Sequence, residues 1–159
     1  MTVVVVFMIY ITICFARNSM PDRTDDNFQN DCLKTSNDLR ARHHAPGFHL
    51  DHDAVNYAKS RCQLISQYEG LSHGHAGLKG YGENLYWGGN SADVTVSKYD
   101  YDHTGFSSAT GHFTQLVWKG TTGVGCARCA GRGGQWFETY VVCSYKPQDY
   151  ISAIIFGNY

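Results

Sequence analysis

The chain has 159 residues, 43% of them apolar and 17% charged, with a formal net charge of −1 and an isoelectric point near 6.7. That is one domain's worth of material with apolar content enough for a core. The near-neutral balance excludes the basic footprint of a nucleic-acid binder.

Residues 1–16, MTVVVVFMIYITICFA, form an apolar run with no charged side chain. The run is too short for a convincing membrane span and ends in small residues, so it reads as a signal peptide cut after Ala16. An uncleaved N-terminal anchor is the alternative; no stable membrane span is expected. Export places the remainder in an oxidising compartment, where cysteines pair. Loss of Cys14 leaves Cys32, Cys62, Cys126, Cys129 and Cys143, an odd set in which one is unpaired or intermolecular. Cys126 and Cys129 make a C-x-x-C, but no second pair follows at finger spacing, which rejects a zinc finger.

Residues 17–30 are polar with mixed charge and are expected to stay loose; residues 31–159 form a single domain. Cys32 to Arg42 reads as a helix with Leu33 and Leu39 available for packing, stopped by Pro46 and Gly47. Asp51 to Ser66 reads as a second helix. Ala54, Tyr57, Ala58, Arg61 and Cys62 recur at helical spacing, and Asp51 or Asp53 suits the positively polarised N-terminus. Residues 69–82 are a glycine-rich loop with two histidines, His73 and His75. Glu83 to Trp87 is a short aromatic strand, Gly88 to Ser91 a turn, and 92–98 a weak strand or coil.

In the stretch GFSSATGHFTQLVW, from Gly105 to Trp118, Phe113, Leu116 and Val117 recur at i, i+3 and i+4, the face of a short helix. Thr110 is placed to cap it, with His112 in its first turn. Val124 to Ala127 and Trp136 to Tyr145, flanking the glycine-rich turn 131–134, read as a β-hairpin. Ile151 to Phe156 is a last apolar run, an edge strand or a cover over the core. Helices first and strands later indicate an α+β domain.

The block from Gly111 to Thr121, GHFTQLVWKGT, resembles the main signature of the CAP superfamily: cysteine-rich secretory proteins, antigen 5 and pathogenesis-related 1 proteins, which share the SCP domain. Val141-Val142-Cys143-Ser144-Tyr145-Lys146-Pro147 is similar to a second signature and Gly82-Glu83-Asn84-Leu85 to a third. Asn37-Asp38-Leu39-Arg40 followed by Pro46 resembles the family's opening helix. The blocks stand in the family's order, and a helminth venom-allergen-like protein is one relative they suggest.

The resemblance implies a three-layer α-β-α sandwich around a central antiparallel sheet, and disulfides Cys62–Cys129 and Cys126–Cys143, leaving Cys32 odd. It also implies a groove of two histidines and two acids that binds zinc or another divalent cation. Carried over, His112 is one histidine, His73 the other with His75 as its competitor, and Glu83 the supporting acid. The family's second acid lies on a helix between the Gly82–Leu85 block and the central block. Here that interval is short and holds no glutamate, so one helix is expected to be shortened or lost and metal binding weak. Ser107 and Ser108 approach His112 without a nucleophile-elbow context, so catalysis is not expected; a weak metal-dependent hydrolase is the third reading.

The leading expectation is a secreted binding protein for sterols or other small lipids. The segment Tyr99 to Phe106, YDYDHTGF, has its rings spaced as in the family's sterol-binding loop. Tyr99, Tyr101 and Phe106 can stack on a flat apolar ligand. The competing expectation is an effector of allergen or immunomodulator type that acts on extracellular or host proteins.

Overall fold

The computed structural model describes residues 17–71, 80–89 and 108–148, with backbone alone at 89 and 108–112. The leader at 1–16, His73 and His75, the interval 90–107 with its expected missing helix and its rings Tyr99, Tyr101 and Phe106, and the run Ile151 to Phe156 all lie outside these residues. In chain order the elements are α1 (Asp26–Arg42), β1 (His49–Leu50), α2 (His52–Ile65), β2 (Gly82–Gly89), α3 (Ser108–Val117), β3 (Gly123–Arg132) and β4 (Phe137–Lys146).

The sheet has the order β1-β3-β4-β2. Its three long strands pair antiparallel, with Cys126 opposite Cys143 and Glu83 opposite Ser144. The two-residue β1 pairs parallel to β3, so the sheet is mixed rather than wholly antiparallel. Side chains alternate across each strand, and the core divides accordingly. Ala127, Cys129, Tyr140 and Val142 turn to Ala58, Cys62 and Ile65 of α2. Val124, Cys126, Val141, Cys143 and Tyr145 turn to Phe28 and Cys32 of α1 and Leu116 of α3. Both faces of the central strands are therefore covered, and β4 is buried continuously from Glu138 to Tyr145. This is the expected α-β-α sandwich.

Local chemistry explains the helix starts. Asp51 caps α2 by accepting a hydrogen bond from Ala54 N at 2.9 Å, and Asp25 caps α1 by accepting from Phe28 N at 2.8 Å. The α1 cap lies inside the segment read as loose, so the helix begins six residues before Cys32. The rest of 17–30 is ordered too, for a reason invisible in its polar composition. Because β1 is so short, the outer edge of β3 would face water bare. Arg23 N donates to Arg128 O at 2.7 Å, Arg128 N to Thr24 Oγ1 at 2.9 Å and Ala130 N to Pro21 O at 3.1 Å. Gln29 completes the cover by donating to the Cys126 carbonyl.

Two further boundaries differ from the sequence reading. Thr110 lies inside α3 rather than capping it, because the helix starts at Ser108. Gly88 and Gly89 continue β2 rather than turning, since both stay in register with β4. Glycine is indispensable at Gly125: a Cβ there would stand 2.1 Å from Val55 N, so α2 lies with its backbone almost against β3.

Candidate functional site

The signature residues gather where the start of β2 meets α3. Gln115 of α3 is buried at this crossing, and a Cβ on Gly82 would fall 1.7 Å from its Oε1. Gln115 Nε2 donates to Thr121 Oγ1 at 3.2 Å, and that hydroxyl donates to Pro147 O at 2.9 Å. The C-terminal end of α3 is held by Arg40 of α1, which is fully buried. Its guanidinium donates to Leu116 O at 2.7 Å, Trp118 O at 3.0 Å, Thr121 O at 3.0 Å and Pro46 O at 2.5 Å. It also lies over the Phe48 ring at 3.7 Å. A cation at a helix C-terminus satisfies carbonyls that the helix leaves unpaired. Burial lowers the Arg40 pKa from its ordinary value.

Glu83 stands on the opposite face of β2, toward α2. Arg61 Nε donates to Glu83 Oε2 at 2.7 Å and Arg61 Nη2 to Oε1 at 3.0 Å, with the Glu83 side chain wholly buried. Burial opposes the charge on Arg61, and the hydrogen bonds to Glu83 outweigh it, leaving the guanidinium above its ordinary pKa. The expected acid of a cation site is thus neutralised by a fixed positive charge, which disfavours a divalent ion as its direct ligand.

A second buried acid, Glu138 of β4, closes the other end of the same face. Arg17 donates to it at 2.9 and 2.6 Å, the Tyr140 hydroxyl at 2.7 Å and Trp87 Nε1 at 3.1 Å. The Arg17 hydrogen bonds hold its carboxyl down at about 2, against the opposing effect of burial. Burial, with Glu138 alongside, pushes the Tyr140 phenol well above its ordinary value. Trp87 is thereby fixed close to the last residue of β2.

The structure places His112 in α3 one turn before Gln115, as backbone. It joins Cys62 to Cys129 and seats Cys126 against both Cys143 and Cys32. Cys32 is 1% exposed, so it is not presented for a bond to another chain, the intermolecular option left open by the odd count. Arg61 was legible as part of an apolar helical stripe, an unusual place for a cation. Nothing in the sequence near Arg17 or Glu138 announces their pairing across the fold. A groove of about 530 Å³ beside the starts of α1 and α2 is lined mainly by polar and charged side chains, among them Asp25, Asp26, His52 and Lys59. Among the described residues, no helix is long and apolar enough to cross a membrane.

The fold is similar to that of a solved structure, the hookworm platelet inhibitor, with a TM-score of 0.57 at 16% identity, covering 83% of this chain and 75% of that one. In sequence the chain is 35% identical over 136 residues to Secreted protein PRY1 of Candida albicans, covering 84% of this chain and 32% of that protein. It is 31% identical over 130 residues to human Golgi-associated plant pathogenesis-related protein 1, covering 76% of this chain and 82% of that protein. The chain spans less than half the length of the first curated relatives it matches. These relatives are named as a secreted protein and as a pathogenesis-related protein. Residues 33–145 match the family model described as the cysteine-rich secretory protein family, and with the sandwich and its relatives this establishes that the chain belongs to the CAP family.

Proposed function

We propose that this CAP protein is an extracellular carrier of sterols or other small lipids, held by the aromatic segment bearing Tyr99, Tyr101 and Phe106. The observation that supports this is how firmly the segment's two neighbours are anchored. Trp87 near the end of β2 is bound to buried Glu138, and α3, which follows the segment, is held at its far end by buried Arg40. Three aromatic rings lying between these elements in sequence offer a flat apolar ligand buried contact area. The polar lining of the described groove makes it a poor seat for such a ligand.

Binding of labelled cholesterol tests the reading. The triple variant Tyr99→Ala, Tyr101→Ala, Phe106→Ala should lose at least about tenfold in affinity while its far-ultraviolet dichroism stays unchanged. Equal binding by wild type and variant would sink the proposal. A second reading, an effector that acts on extracellular or host proteins, is favoured by Trp136 and Phe137, which stand 55% and 49% exposed at the β3–β4 turn. Retention of cholesterol binding by Trp136→Ser and Phe137→Ser would separate the two surfaces.

A divalent cation belongs to the proposal only as a weak ligand of His112 with His73 or His75, supported by Glu83. Calorimetric titration with zinc should show weak binding that disappears in His112→Ala. Tight binding indifferent to that change would exclude the site.

A further inference from the structure

Five cysteines follow Ala16 in the sequence. Cys62 and Cys129 take each other. The other three converge from three elements: Cys32 of α1, Cys126 of β3 and Cys143 of β4. Their sulfur atoms all lie within 4.8 Å of one another, and the residues are 1%, 0% and 7% exposed. Cys126 Sγ stands beside both neighbours, and Cys32 Sγ stands 3.7 Å from Cys143 Sγ. A cysteine sulfur makes one disulfide at a time. Any bond within this triangle therefore leaves a thiol packed beside it.

We infer that the triangle is a thiol–disulfide interchange centre, in which Cys126 changes partner between Cys143 and Cys32. In the Cys126–Cys143 form, the Cys32 sulfur attacks Cys126 Sγ as its proton passes to Cys143 Sγ, 3.7 Å away. The Cys32–Cys126 bond forms as the Cys126–Cys143 bond breaks, and Cys143 leaves with the electron pair and takes up a proton. One disulfide and one thiol are present before and after, so the step needs no oxidant or reductant.

The two forms are not equivalent mechanically. Cys126 and Cys143 face each other across the β3–β4 ladder, so their bond joins strands that are already paired and spans 17 residues of sequence. The Cys32–Cys126 bond spans 94 residues and ties α1 to the sheet. Interchange moves a covalent tether from inside the hairpin to the helix that carries Arg40, and through Arg40 it bears on the end of α3. Gln29, one turn before Cys32, ties α1 to the main chain of Cys126: its side chain donates to the Cys126 carbonyl and accepts from Cys126 N at 3.4 Å.

The experiment is disulfide mapping of the secreted, unreduced protein. It is quenched in acid, alkylated on free thiols, digested and read by mass spectrometry. The expected result is one alkylated thiol among the three, with both Cys126–Cys143 and Cys32–Cys126 peptides present. Cys32→Ala should lose the second linkage and keep the first, and Cys143→Ala should do the reverse, each retaining the wild-type near-ultraviolet dichroism. A single linkage in the wild type would overturn the inference. So would a dimer bridged through Cys32, or three alkylatable thiols with a stoichiometric soft metal ion such as zinc or copper.

Discussion

The two faces of the sheet solve the problem of buried charge differently. On the α2 face, among the described residues, buried Arg61 meets Glu83 and partly buried Arg17 meets Glu138. Across the sheet, Arg40 is clamped by four main-chain carbonyls and an aromatic ring. A charge pair secures the two side chains that form it. A cation bound to carbonyls secures chain segments, here the turn at Pro46 that follows α1 and the exit of α3. The face that carries the signature helix is thus held through its backbone. The sulfurs divide likewise, with one bridge on the α2 face and three clustered sulfurs on the other.

The largest effect is expected where α2 touches the sheet. Gly125→Ala drives a methyl into the α2 backbone and should cost at least about 4 kcal/mol, read as a collapse of the urea midpoint. Wild-type stability would mean that α2 stands farther off than described. Next come the arginines. Glu83→Ala removes the carboxylate that faces buried Arg61 and should cost about 3–5 kcal/mol. Arg40→Lys keeps the charge but lacks the fork that reaches four carbonyls; it should cost about 2–3 kcal/mol and increase hydrogen exchange at the end of α3 before it does so in α2. Uniform exchange across both faces would erase the distinction drawn between them.

Acid sharpens the same comparison. The Glu138 carboxyl is held at about 2, below its ordinary 4.5, so its pairing stabilises the folded state fully above the ordinary value and less as pH falls toward the lower one. A loss of about 3 kcal/mol is expected across that window, and Glu138→Gln should flatten it. An unchanged acid slope in the variant would remove Glu138 as its source. At the small end, Lys34→Ala breaks only an exposed pair with Asp38 and should move stability by less than about 0.5 kcal/mol.

The α2 helix was legible because its signals are local: Asp51 caps it and its apolar residues recur at helical spacing. The hairpin was legible for the same reason, although Gly131 and Arg132 extend β3 rather than turning. The segment 17–30 misled because its polar residues bond to an exposed strand edge that exists only once β1 proves to be two residues long. Thr110 looked like a cap because sequence cannot tell a capping threonine from one inside a first turn. Glu83 was found as a residue of interest from its block, while the charge facing it was not, since Arg61 lies twenty-two positions away on another element.

The sequence by itself determined the family, the helices with their own caps and the odd number of cysteines after Ala16, because each is carried by neighbouring residues or by simple count. Tertiary structure alone decided which cation meets Glu83, which carbonyls Arg40 holds and which three sulfurs share a corner. Those partners are distant along the chain, and only the packing of both helical layers onto one sheet brings them within bonding range.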